Sequence, residues 1–79
     1  MDNIQNDKYS QAVASILRNH YEASGLSYST LAERTGLGRA TVERVINGKR
    51  EATAYYLHQL CNEFGISPGS VLDAADKIG

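Results

Sequence analysis

Glycines at positions 25, 36, 48 and 65 cut this chain into short pieces, and between them apolar residues recur three and four apart. Each glycine follows a run with helical periodicity, the place where a helix that must stop sharply takes a left-handed residue without a Cβ penalty. No stretch alternates apolar and polar residues with a period of two, so strands are not expected. A chain divided in this way buries its apolar stripes only by packing short helices on one another. The expectation is all-α: a compact five-helix bundle.

The first helix is expected from about Tyr9 to Ala23, after a cap at Asn6-Asp7. Ala12, Val13, Ile16 and Leu17 form its apolar stripe, extended by Tyr9 and Tyr21, and Ser24-Gly25 ends it. Ser27 caps a second helix running through about Thr35, with Leu31 and Ala32 facing inward and Gly36 as the stop. A third helix begins near Gly38 and ends at Asn47-Gly48, followed by the polar loop Lys49-Arg50-Glu51-Ala52. Thr53 caps a fourth, in which Leu57, Leu60, Cys61 and Phe64 fall at i, i+3, i+4 and i+7. Ser67-Pro68 opens a fifth, expected to bury Val71, Leu72 and Ala75.

With 79 residues there is room for one small core, so residues 1–79 are expected to form a single domain. The single Cys61 leaves packing, not an internal disulfide, to hold the fold, and suits a reducing compartment. The polar, acidic N-terminal segment does not read as a signal peptide, and no run approaches a membrane span. These features predict a cytoplasmic protein with no membrane partner.

The formal net charge is −1, which taken alone argues against a nucleic-acid partner. Its distribution argues the other way. Residues 34–50 hold Arg34, Arg39, Arg44, Lys49 and Arg50 against Glu43 alone, whereas the rest of the chain carries three cations against eight acids. Positive charge gathered into one short segment of an acidic chain is an electrostatic footprint for a polyanion.

That segment coincides with the second and third helices, joined by a turn containing Gly36, which is the layout of a helix-turn-helix unit over about 27–47. At about 100° per residue from Arg39, the residues Arg39, Ala40, Glu43, Arg44 and Asn47 spread over about 140° of the third helix. Val42, Val45 and Ile46 occupy the opposite arc, between about 240° and 340°. One face anchors the helix and the other presents arginine, a small residue and arginine outward. The arginine fork matches guanine O6 and N7 in the major groove, and a good bidentate pair contributes about 1–3 kcal/mol of discrimination. Ala40 permits close approach and offers a methyl to thymine. Glu43 either accepts from a cytosine N4 or orients Arg39 as its i, i+4 partner.

Residues 26–72 resemble the phage repressor and Cro family, the XRE-type helix-turn-helix, without a gap. The matching residues are Leu26-Ser27, Leu31-Ala32-Glu33, Gly36-Leu37, Arg39, Thr41-Val42, Arg44-Val45, Asn47-Gly48-Lys49-Arg50, Leu57, Leu60 and Phe64-Gly65-Ile66. The resemblance implies a lambda-repressor-like fold whose third helix enters the major groove of an operator, and a transcriptional regulator, in particular a repressor. It places Arg39, Ala40, Glu43 and Arg44 at base-reading positions. Ser27 and Tyr28 at the start of the second helix, and Asn47, Lys49 and Arg50 after the third, resemble phosphate-contacting positions. Helix N-terminal amides and cationic loops suit that role. The chain departs at Tyr28, where the family usually has glutamine, and at Glu51-Ala52, where many relatives carry proline and a basic residue. At Tyr28 the phosphate clamp becomes a phenol hydroxyl contact or is lost, and the Glu51 carboxylate together with the net charge of −1 predicts modest affinity unless a partner or a second copy adds contacts. The expected partner is double-stranded DNA, close to the nucleoid of a bacterium or phage-infected host cell, with a homodimer as one way to bind it; the tail from Ser67 to Gly79 (a helix over about 67–77, with Val71, Leu72 and Ile78) is either the dimerising element or only the completion of the core.

Other constellations point to packing. His58 and Cys61 lie three apart on one helix, but no second pair of ligands accompanies them, and Cys61 falls on the apolar stripe. His20 is expected to complement the C-terminal dipole of the first helix, and Tyr55-Tyr56 to divide between core and rim. Without a phosphate loop or paired carboxylates in a cleft, neither enzymatic activity, a cofactor, a metal nor a small-molecule substrate is expected. The net charge supports a second reading on the same fold: a protein-interaction module, antitoxin-like or a polymerase-binding cofactor, with weak DNA affinity.

Overall fold

The computed structural model describes residues 3–78 and contains α1 (Asn3–Ser24), α2 (Tyr28–Thr35), α3 (Arg39–Ile46), α4 (Ala54–Phe64) and α5 (Pro68–Ile78). The helix boundaries follow local chemistry. The Ser27 hydroxyl accepts from the Thr30 amide to cap α2, and Thr53 accepts from Tyr56 to cap α4. At the start of α5, Ser67 Oγ accepts from the Ser70 amide at 3.2 Å while Ser70 Oγ donates back to the Ser67 carbonyl at 2.8 Å. Gly36 closes α2 at φ 76°, its amide donating to the Ala32 carbonyl at 2.9 Å.

α1 starts at Asn3, not near Tyr9, and the expected Asn6-Asp7 cap lies inside it. Elongating an existing helix costs far less than nucleating one, and no glycine or proline interrupts the residues before Tyr9.

The core is shared by all five helices. Leu17, Leu31, Val42, Val45, Ile46, Leu60, Cys61 and Val71 are fully buried, with Ala12, Val13, Ile16, Leu57 and Ala75 around them. Burying an aliphatic side chain of this size contributes about 1.5–3 kcal/mol, which lets so short a chain fold without a crosslink. α5 packs along α1 and touches α4, while α2 lies against α3 and α4, and α1 also backs α3. No buried polar side-chain atom among the described residues lacks a partner. Thr35, the one buried polar residue among those described, donates to the Leu31 carbonyl at 2.6 Å and accepts from the Leu37 amide at 3.2 Å. Gln59 on α4 donates to the Thr35 carbonyl at 2.9 Å, fixing the turn between α2 and α3 to the scaffold.

Two expectations are corrected here. Leu72 is exposed, because the inward arc of α5 follows Val71 and Ala75, four apart, and Leu72 lies about 100° away. His20 is half-buried against the ring of Phe64, with centroids 6.2 Å apart; it joins α1 to α4 and sits a full turn short of the α1 terminus, where the dipole acts. No described helix is long and apolar enough to cross a membrane.

Candidate nucleic-acid interface

α3 is held by one face. Val42, Val45 and Ile46 are at most 1% exposed, whereas Arg39, Ala40, Glu43 and Arg44 are all exposed. Eight residues give a rod about 12 Å long, and an α-helix with its side chains is about 10–12 Å across, a diameter the major groove admits. Glu43 makes no ion pair with Arg39, since the one ion pair among the described residues joins Arg34 to Glu63 at 3.7 Å. Its carboxylate remains available to an outside donor.

The expected phosphate-contacting residues lie at the start of α2 and beyond the C-terminal end of this rod, which the contact between Tyr28 and Asn47 joins. Ser27 Oγ is engaged within its own cap, accepting from the Thr30 amide and donating to Thr30 Oγ1 at 3.0 Å, so the helix N-terminus there presents backbone dipole more than hydroxyl. The Tyr28 ring stacks on Tyr21 of α1 with centroids 4.5 Å apart and planes within 2°. Its hydroxyl accepts from Asn47 Nδ2 at 3.0 Å, leaving its own proton for another acceptor. Asn47 Nδ2 also donates to the Glu43 carbonyl at 2.9 Å, so its donors are used within the protein. Lys49 and Arg50 are exposed, and their amides both donate to the Arg44 carbonyl, at 2.8 and 3.2 Å, which folds the loop back over the end of α3. The Arg50 guanidinium lies over the Tyr56 ring, 5.3 Å from its centroid. Tyr55 is exposed and Tyr56 half-buried, a division into rim and core.

Sequence reasoning missed three residues of this surface, all on α1. Gln11 Nε2 donates to the Gly48 carbonyl at 2.9 Å. Tyr21 carries Tyr28, and burial raises its phenol above the ordinary 10.0, with Tyr28 and the Glu43 carboxylate adding to the effect against the Tyr28 backbone and Arg39. Arg18 joins Ala40, Glu43, Arg44, Asn47 and Lys49 around an open concavity of about 490 Å³. Nothing in the local spacing of α1 marks these positions, because their roles depend on which helix packs beside them.

Elsewhere the chemistry is sparse. His58 is exposed while Cys61 is buried, burial raises the Cys61 thiol above its ordinary 9.0, and the described residues contain no cluster of potential metal ligands.

The sequence profile of the helix-turn-helix family matches residues 17–71, from within α1 to the first turns of α5. The chain belongs to the helix-turn-helix family. The domain is of the XRE type, a DNA-binding class and not a class of catalysts. Two solved structures of the clp gene regulator ClgR from Corynebacterium glutamicum are similar to it. One superimposes with a TM-score of 0.78 at 23% identity, over 89% of this chain and 74% of that one. The other gives 0.77 at 23% identity, over 89% and 91%. At that identity the likeness is one of fold. No curated protein matches the chain.

Proposed function

We propose that this helix-turn-helix protein is a sequence-specific regulator of transcription, a repressor in the manner of the Cro and phage repressor proteins, that binds an operator with α3 in the major groove. The observation that carries this reading is the division of α3 into a wholly buried apolar face and an exposed face bearing Arg39, Ala40, Glu43 and Arg44. Both arginines are free to meet base edges, and Ala40 between them keeps the helix close to the groove floor. Lys49, Arg50, the Tyr28 hydroxyl and the first turn of α2 capped by Ser27 supply contacts to the phosphates, while Asn47 fixes the geometry between them. Both ClgR neighbours are described as gene regulators, which agrees.

One such unit reads a few base pairs, so useful specificity calls for two on a palindrome about 34 Å apart. The chain acts as one cytoplasmic domain that dimerises on DNA through its C-terminal helix. Leu72 and Ile78, both exposed, suit that contact. Val71, 1% exposed, belongs to the core and not to such an interface.

Selection of bound sites from random duplexes, followed by titration of the selected site across a salt series, tests the reading. The expected result is a palindromic motif whose affinity falls with log[salt] at a slope near −0.9 per phosphate neutralised. Absence of enrichment, with no duplex bound even at low salt, would overturn it in favour of the protein-interaction module that the net charge of −1 suggests.

A further inference from the structure

At about 100° per residue, Gln11, Arg18 and Tyr21 fall within about 80° of one another on α1. Gln11 is bonded to Gly48 beyond the end of α3, and Tyr21 is stacked on Tyr28 at the start of α2. Both ends of this stripe are therefore tied to the elements that flank the reading helix. Arg18, between them, is exposed and has neither an ion pair nor a side-chain hydrogen bond among the described residues. It stands at the rim of the concavity with Arg44 and Lys49, and Glu43 is the only carboxylate there. Three cations around one carboxylate repel one another, and that repulsion is relieved when a polyanion enters.

The position indicates which part of the polyanion. Ala40, Glu43, Arg44 and Asn47 form the outward face of α3, the face directed at base edges. Arg18 approaches from the neighbouring helix and Lys49 from the loop beyond, so both border this face from the side. When a helix lies in the major groove, the sugar-phosphate strands run along its sides.

We propose that Arg18 is a DNA phosphate-contacting residue, which with Lys49 grips one strand beside α3 and brings α1 into the interface. This rests on the placement of α3 in the major groove proposed above.

The test compares Arg18→Ala, Arg18→Lys and, as a control for loss of one positive charge, Lys8→Ala, exposed ten residues before Arg18 on α1, with thermal melts to confirm folding. Affinities for the selected site and for a scrambled duplex are measured by fluorescence anisotropy across a salt series. The expected result is a loss of roughly tenfold on both duplexes for Arg18→Ala, as for removal of one charged hydrogen bond. Its salt slope falls by about 0.9, Arg18→Lys recovers most of the affinity, and Lys8→Ala keeps the wild-type slope. An unchanged affinity and slope for Arg18→Ala, while the wild type binds, overturns this assignment and leaves the α3 reading intact. A loss confined to the selected site makes Arg18 a base reader and overturns the phosphate role. If the wild type binds no duplex, both proposals fall together.

Discussion

The side-chain amide of Asn47 donates to the hydroxyl of Tyr28 across 3.0 Å, joining the end of α3 to the start of α2. Because Asn47 also holds the Glu43 carbonyl and Tyr28 lies flat on Tyr21, one chain of contacts runs from α1 through α2 into the last turn of α3. A tyrosine where relatives usually carry glutamine is thus built into the fold. Its ring packs on α1, its oxygen holds α3, and its proton is not used in a hydrogen bond among the described residues.

Tyr28→Phe removes the oxygen and keeps the stack. The partly buried hydrogen bond contributes about 1 kcal/mol, so urea denaturation should show a loss of that order. DNA affinity should fall several-fold with base preference unchanged, since the angle of α3 is loosened and none of its reading residues is altered. Wild-type stability together with wild-type affinity would show that the Asn47–Tyr28 contact sets nothing.

Gly48 is sensitive for two separable reasons. Its φ of +75° is left-handed, which costs a residue with a Cβ about 1–2 kcal/mol. A Cβ there would also lie 2.6 Å from Gln11 Oε1. Gly48→Ala is expected to lose both the backbone term and the Gln11 hydrogen bond as that side chain is driven away. Gln11→Ala alone loses only the bond, about 0.5–1 kcal/mol. The double variant should therefore be more stable than the sum of the single losses predicts, and a double-mutant cycle in urea reads the difference. Strict additivity would mean that Gln11 moves aside without cost.

These contacts mark where sequence reasoning reaches and where it stops. Cap hydroxyls such as Ser27 and Thr53, the glycine after α2, and the i, i+3, i+4 spacing of Leu57, Leu60 and Cys61 are local signals, and each element they announce is present within a residue or two. The start of α1 was harder to place, because elongation of a helix leaves no composition mark. Leu72 shows a subtler limit: Val71 and Leu72 are both apolar and about 100° apart, and it is the packing of α5 on α1 that buries Val71 and leaves Leu72 exposed. His20 against Phe64 and Arg18 beside Arg44 are juxtapositions between helices distant in sequence, invisible to any periodicity.

Alkaline conditions should weaken the fold in two stages. Burial raises the Cys61 thiol above 9.0, so the folded state keeps a proton that the unfolded chain releases. The associated stability is fully present below about pH 9 and declines as pH rises beyond it. Tyr21, raised above 10.0 by burial, Tyr28 and Glu43, adds a second decline starting about one unit higher. Urea unfolding between neutral pH and pH 11 should show Cys61→Ala flattening the first decline and Tyr21→Phe the second. An unaltered profile in both variants would place the alkaline sensitivity elsewhere. The same burial predicts that a thiol reagent modifies Cys61 at a rate that follows unfolding, accelerating with denaturant.

Arg39 and Lys49 should separate reading from holding. Arg39 stands exposed on the first turn of α3, and Lys49 lies exposed in the loop beyond its end. A bidentate arginine–guanine pair discriminates by about 1–3 kcal/mol, so Arg39→Ala should lower affinity for the selected site by about five- to 150-fold and for random DNA far less. Charge reversal at Arg39 or Arg44 should abolish operator preference altogether. Lys49→Ala removes a phosphate contact, so both affinities fall together and the salt slope drops by about 0.9. The ratio of selected to random affinity is therefore the quantity to compare: collapsed at Arg39, unchanged at Lys49. Equal losses on both duplexes for Arg39→Ala would reassign that guanidinium to the backbone and leave sequence reading to Ala40, Glu43 and Arg44.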